Sequence, residues 1–446
     1  MRGVDPPAIE PLPGTGRLAV PLLQHVGPTL RPCVSVGQRV AAGEAIGTSD
    51  EPLPACHAPI CGRVIEIGPV ATAEAHDVPA VVIEPDPAAG TAPAHAPDDL
   101  DHRSQTLAEL VSQCDELGLV NLDGGGLPLG AMLGRWLRRG CEHLIVSAMV
   151  PEPWLTAGYR WLLDEPREAI ARTAWLAARL RARRTWLVVD RRERRLLRVL
   201  RRLSLRTPVR LAPLADRYPQ SHPSLLVTAI AGRAIPYGRD PADTGVLVLD
   251  LLSLRALSRC LTDGVPLISR PVCVAGDAIA APRTLDVPVG TSIQQVIAAC
   301  DVTAPIGQVV VGGPMNGRAV DSLDVVVTKR TRAVLLNRSP AVRRPSACVR
   351  CGWCQEHCPV NLDPAALLNA AERRDFATAG RLWPFACIEC GVCTYVCPSQ
   401  LPLLEGIRRA KYRCAGRDPL GNGLEAFAVA SRPGPGEMGL EKPLGR

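Results

Sequence analysis

The hydrophobic rhythm of the chain changes along its length, and each change marks a different kind of domain. Between about residues 15 and 85, short apolar runs are cut at close intervals by Gly and Pro, as in VSVGQRVAAGEAIG (34–47) and HAPICGRVIEIG (57–68). Short strands separated by tight turns produce that pattern, so it predicts a small all-β unit. From about 104 to 262 the apolar runs LIVSAM (144–149), TWLVVD (185–190) and GVLVLD (245–250) alternate with stretches of helical period such as Glu168–Arg184. Buried runs alternating with amphipathic helices predict α/β layering on a largely parallel sheet. From about 268 to 335 short strands return, in RPVCVAGD, RTLDVPVG and QVVVGGPMNG, around one helix at Ser292–Cys300. That is the signature of a compact α+β module.

The remaining segments read from composition. PDPAAGTAPAHAPDDLD (85–101) is a Pro- and Ala-rich linker, and the Gly- and Pro-rich stretch after Arg413 predicts a disordered tail. Residues 345–412 hold a cysteine repeat with a helical spacer at Pro364–Arg381. The resulting division is 1–95, 104–262, 268–335, 340–413 and a tail at 414–446.

At 446 residues the chain is too long for one core. It contains no run approaching the ~18 apolar residues needed to cross a bilayer. The start, MRGVDPPAIEPLPG, lacks the apolar core of a secretory signal, so a cytoplasmic location is expected. The net charge of +7 comes almost wholly from Arg, with Lys only at 329, 411 and 442. The arginines between Arg179 and Arg206 alternate with Leu and Val and read as solvated outer faces of helices. Aromatic residues are 3% of the chain, too few for base-stacking platforms, so no nucleic-acid partner is expected. No G-x-S-x-G or G-x4-G-K-[ST] motif occurs, and no catalytic residue is assigned. The earliest lysine is Lys329, which excludes a lipoyl- or biotin-bearing arm in the first domain.

Of 17 cysteines, eight fall in two matching runs, CVRCGWCQEHCPV (348–360) and CIECGVCTYVCPS (387–399). Each has the spacing C-x2-C-x2-C-x3-C-P. Three thiolates on one tight loop wrap three corners of an iron–sulfur cubane, and the fourth reaches the neighbouring cluster. This assigns Cys348, Cys351, Cys354 and Cys397 to one [4Fe–4S] cluster and Cys387, Cys390, Cys393 and Cys358 to a second. Zinc held by four cysteines normally uses two separated C-x2-C pairs, which does not account for a third Cys and a Cys-Pro occurring twice. Two clusters with crossed ligands make an electron wire that needs a donor and an acceptor. A purely structural cluster pair is the alternative. The other nine cysteines show no pairing pattern, and most read as small buried hydrophobes.

The order of segments resembles the C subunit of the Rnf-type ion-translocating electron transport complex over nearly all of residues 15–412. QHVGP (24–28) and the two β-rich stretches are similar to that family's lipoyl-like barrel-sandwich domain. PEPWLTA (151–157), RYPQ (217–220), GRAIPYGRDPADTGV (232–246) and GVPLISRPVCVAGD (264–277) resemble its flavin- and NADH-binding domain, shared with the flavoprotein of complex I. VPVGT (287–291) and GGPMNG (312–317) resemble its β-grasp module. The resemblance implies a multidomain α/β and α+β protein: barrel-sandwich, complex-I-flavoprotein-like domain, β-grasp module and two-cluster ferredoxin-like helical domain.

It also implies an electron-transfer subunit peripheral to the inner face of the cell membrane, partnered by membrane-embedded subunits and a soluble redox donor or acceptor. A soluble cobalamin reductase shares the same domain order and stays open as a second reading, as does a cluster-bearing assembly scaffold. Within the family, FMN and NADH sit on a glycine loop of the type G-x-x-G-x-G-G-A-G-F-P-T followed by Lys. Here Gly118, Gly124 and Gly126, with Glu152 nearby, are the residues that would face them. Asn121 and Asp123 replace glycines, Leu127 replaces the aromatic, and Met132 stands where Lys is expected. Ser147 and Val150 depart from the next motif, N-G-A-E-C-E-P, and RYPQ continues as SHP (221–223). These departures weigh against retained FMN and NADH binding, so independent NADH dehydrogenase activity is not expected.

Overall fold

The computed structural model describes residues 6–12, 16–86, 105–123, 125–236, 239–339 and 344–415. The predicted linker from residue 87 on, the predicted tail from residue 416 on, and Gly124 lie outside the described residues. The chain divides into two compact units, 1–231 with 245–340, and 232–244 with 341–446.

In the first unit, the β-rich opening forms two small sheets. One has the order Leu18–Pro21, Val78–Pro85, Gly62–Val70, Arg39–Val40, and the other Arg31–Pro32, Ala45–Thr48, Cys56–His57. Val20, Leu22, Ile46, Val64, Val81 and Ile83 point inward and form one fully buried core. The predicted all-β unit is therefore present, built from strands too short to hold a core singly.

The α/β layer is a parallel sheet in the order Val209–Leu214, Arg184–Asp190, His143–Ser147, Val246–Asp250. His143–Ser147 is buried at every position, as a central strand with covered faces must be. Sequence reasoning missed Val209–Leu214, an edge strand in which only Val209 and Ala212 are buried, so its apolar signal is weaker. The helix expected over Glu168–Arg184 is shorter. It runs Pro166–Arg179, begins with proline in its first turn, and is followed by Arg181 at a left-handed φ of 49°. Arg184 already pairs with His143 in the sheet.

The α+β module is a six-stranded mixed sheet in the order Ile9–Pro11, Arg283–Pro288, Ser269–Ala275, Ala333–Asn337, Gln308–Val311, Arg318–Val320. Its helix, Ile293–Ala298, starts in a capping box formed by Ser292 and Gln295. The strand Ile9–Pro11 comes from the opening of the chain, within the stretch assigned by sequence to the first domain, and pairs in parallel with Arg283–Pro288.

The second unit is helical around the cysteines. The spacer expected as one helical stretch, Pro364–Arg381, is two helices, Pro364–Glu372 and Phe376–Arg381. Arg374 at φ 58° breaks them apart, and the Asp375 carboxylate caps the second by accepting from Thr378 N at 3.0 Å. The helix Leu403–Cys414 packs on Pro364–Glu372. The approach is close enough that a Cβ on Gly406 would lie 2.4 Å from Leu368 Cδ1.

Candidate functional site

Both cysteine runs follow the same backbone path. The residue before the second cysteine is left-handed in each, Arg350 at φ 54° and Glu389 at φ 54°. The glycine after it is left-handed too, Gly352 at 81° and Gly391 at 74°, and each starts a short helix, Trp353–Glu356 or Val392–Val396. The second residue after Cys-Pro repeats the feature, with Asn361 at 55° and Gln400 at 55°. Left-handed positions curl the chain tightly, which is what successive thiols need in order to face one centre. Non-glycine residues adopt such angles at a cost, and persist where their surroundings fix them.

The fold brings the fourth cysteine of each run to the other run. Cys358 lines one pocket with Cys387, Cys390 and Cys393, walled by Leu362, Leu404 and Ile407 among others. The opposite crossing is tied by two hydrogen bonds, Ser346 N to Ser399 O at 3.0 Å and Ser399 Oγ to Ala347 O at 2.9 Å. These hold the segment leading into Cys348 against the turn that comes after Cys397, and Cys397 lies within electrostatic reach of Cys354. Among the described residues no three His, Cys, Asp or Glu side chains converge as a single-ion site. Cys358, Cys387, Cys390 and Cys393 line one pocket together, and four cysteines about one space fit a cubane cluster.

Burial pushes the Cys387 thiol up to about 11 and the Cys393 thiol up to about 12. Loading metal there therefore releases protons. Two amides point at sulfurs of the runs, Leu362 N to Cys358 Sγ at 3.3 Å and Glu389 N to Cys387 Sγ at 3.3 Å. Glu389 itself is gripped by Arg408 Nε at 2.9 Å and Lys411 Nζ at 2.7 Å. Burial acting alone would raise its carboxyl, but the Lys411 and Arg408 charges hold it down at about 2. Sequence reasoning missed these three residues. The available signals were an acid between two ligands and one of only three lysines in an arginine-rich chain.

The glycine loop differs. Gly118 and Gly126 have φ of 67° and 84°, as a tight turn requires. Three of the loop amides are already engaged: Asn121 N donates to Leu127 O at 2.8 Å, Gly126 N to Asn121 O at 3.0 Å and Leu122 N to Ser253 Oγ at 2.8 Å. The Asp250 carboxylate accepts from Ser253 N at 2.7 Å and Ser253 Oγ at 2.6 Å. Lys329 Nζ fills the space beside Gly118, donating to Gly118 O at 2.7 Å and Ala55 O at 3.0 Å. Burial, reinforced by Asp250, pushes the Asp123 carboxyl up to about 7. Glu152 is buried and pairs with Arg332 Nη2 at 2.8 Å while accepting from Met315 N at 3.0 Å. An anion-binding loop needs free N–H groups and no facing carboxylates. The three engaged amides and the buried Asp123 carboxyl weigh against a flavin phosphate at this loop.

Three family models match in the order of the fold: an RnfC barrel sandwich hybrid domain at residues 5–88, a Nuo51 FMN-binding domain at 114–259 and a 4Fe-4S dicluster domain at 340–398. The chain is 31% identical over 419 residues to the C subunit of the ion-translocating oxidoreductase complex of Rhodobacter capsulatus, covering 92% of this chain and 80% of that protein. It is 28% identical over 367 residues to the C subunit of the proton-translocating ferredoxin:NAD(+) oxidoreductase complex of Clostridium ljungdahlii, covering 81% and 79%. Against the corresponding protein of Pseudomonas aeruginosa it is 30% identical over 366 residues, covering 80% of this chain but 47% of that longer protein. With the paired cysteine runs in place and the relatives aligned across barrel, sheet and cluster domain alike, this chain belongs to the family of C subunits of ion-translocating oxidoreductase complexes.

Proposed function

We propose that this chain is an electron-transfer subunit that relays single electrons through two [4Fe–4S] clusters within a membrane-associated oxidoreductase complex. The observation that carries the reading is the crossing: Cys358 belongs to the first run yet shares a pocket with the three thiols that open the second. Cys387, Cys390, Cys393 and Cys358 would hold one cluster and Cys348, Cys351, Cys354 and Cys397 the other. Bound there, each cluster supplies a one-electron couple. The chain's own residues orient the ligands, exclude water from the second site through Leu362, Leu404 and Ile407, and direct amide N–H groups at the sulfurs. Such hydrogen bonds delocalise negative charge and favour the reduced state.

The occupied glycine loop supports a carrier without its own NADH oxidation, so the donor would be a separate redox protein or flavin. Membrane-embedded partners and a peripheral position on the inner face of the membrane belong to the same reading. No helix among the described residues is long and apolar enough to cross a membrane. The mixed sheet with its single helix supports a β-grasp-type module over 268–335, completed by Ile9–Pro11, between the α/β domain at 104–262 and the cluster domain at 340–413.

Anaerobic reconstitution tests this directly. The expected product holds about eight irons per chain, gives two reduced-cluster EPR signals, retains no flavin and is not reduced by NADH. Zinc in place of iron overturns the carrier reading, and stoichiometric flavin with NADH-reducible clusters overturns the claim about the glycine loop.

A further inference from the structure

The two cysteine runs differ most at the residue before the second ligand. In the first it is Arg350, which is exposed. In the second it is Glu389, whose side chain is 16% exposed and clamped between Arg408 and Lys411. Both cations come from Leu403–Cys414, the helix downstream of the second run. Lys411 Nζ also donates to the carbonyl of Cys387 at 2.7 Å, and a ligand-bearing residue is thereby held by the same ammonium that neutralises Glu389. One carboxylate and two cations leave a net single positive charge, largely shielded from water, beside the second run.

We propose that the Glu389–Arg408–Lys411 clamp is a positioning and charge-setting device that raises the reduction potential of the second cluster relative to the first. The proposal rests on the cluster reading above. Reduction adds an electron to a cluster, so a nearby cation stabilises the reduced form, and does so more strongly where water does not screen it. Arg350 carries a positive charge too, but at the solvent-exposed surface, where its field is screened. The clamped residue also directs its amide to Cys387 Sγ at 3.3 Å while Lys411 holds the Cys387 carbonyl, so charge and ligand position are set by the same groups. An electron arriving at the open first loop would then be drawn to the enclosed second one.

The test is an EPR-monitored redox titration of the full reconstituted chain. Lys411→Gln should lower one of the two midpoint potentials, shifting that cluster's reduction equilibrium on the order of tenfold, or about 59 mV for one electron. Lys411→Arg should keep the wild-type value, and Glu389→Gln should move the same cluster upward. Loosening of the loop alone gives no reason for opposite signs from two neutralising substitutions. The proposal is overturned if neither potential moves, if both clusters move together, if Lys411→Gln and Glu389→Gln shift in the same direction, or if Lys411→Arg behaves as Lys411→Gln does. Should Lys411→Gln lose its cluster, the other two variants decide: an upward shift in Glu389→Gln with an unchanged Lys411→Arg supports the proposal, and any other pattern overturns it. Wild-type chain lacking two clusters would instead sink the cluster reading itself, before any variant is compared.

Discussion

The first and second cysteine runs share their spacing, their left-handed positions and their Cys-Pro turns, yet one is open to solvent and the other is folded into a core. Cys348 and Cys351 are exposed, with Val349 at 66% and Trp353 at 49%, whereas Cys393 is buried and packs with Leu362, Leu367, Leu403 and Ile407. The difference does not come from the repeat. It comes from a helix outside it, Leu403–Cys414, which packs its apolar face and its two clamping cations onto the second run. A short motif can dictate where ligands point, while the surroundings that tune a bound group are supplied by residues beyond the motif.

The largest effects should come from breaking the crossing. Cys358→Ser and Cys393→Ser should each abolish the same EPR signal and cut iron to about four per chain, while Cys397→Ser should remove the other signal. If Cys358→Ser instead removes the signal lost in Cys348→Ser, the ligands do not cross. Next comes the clamp: Glu389→Ala strands two half-buried cations and should cost on the order of 2–3 kcal/mol in urea unfolding. Arg350→Ala, at the matching exposed position, should stay within about 0.5 kcal/mol.

A pH scan sets the cluster domain against the barrel-sandwich domain. Burial lowers His57 to about 3 and His25 to about 4, with Lys329 adding to both. The unfolded chain takes up those protons below its ordinary pKa near 6.5 and the folded one does not, so stability falls as pH drops from about 6.5 toward about 4. The loss should reach about 2 kcal/mol per histidine at pH 5, and His25→Gln should flatten the slope. The smallest contrast is Ile388→Ala, which trims the wall of the second pocket and should cost about 1–2 kcal/mol. Val349→Ala, its counterpart in the first run, should cost under about 0.5 kcal/mol by the same measurement.

The dicluster domain was legible because its cysteine chemistry is written in spacing. The clamp was not, since Glu389 meets Arg408 and Lys411 only after a helix folds back, and no periodicity encodes that return. In the glycine loop the replaced residues Asn121 and Asp123 could be read directly. That the Leu122 amide is taken up by Ser253 depends on a helix far along the chain. Residue rarity was the neglected clue. Both described lysines are shielded from solvent and donate to backbone carbonyls, Lys329 at Gly118 and Ala55, Lys411 at Cys387. A compact ammonium with three donors suits such converging carbonyl oxygens.

The strand Ile9–Pro11 has a consequence for how the protein is made. Its partner, Arg283–Pro288, lies about 270 residues later, and Glu10 pairs with Arg283 across the join. At about 5–20 residues per second of synthesis, the opening strand waits roughly 15–50 s with its edge unpaired, while the barrel-sandwich residues beside it are free to fold. Ribosome-bound chains stopped before residue 283 would therefore carry this strand without its sheet partner, its exposed Glu10 and Pro11 guarding the edge meanwhile.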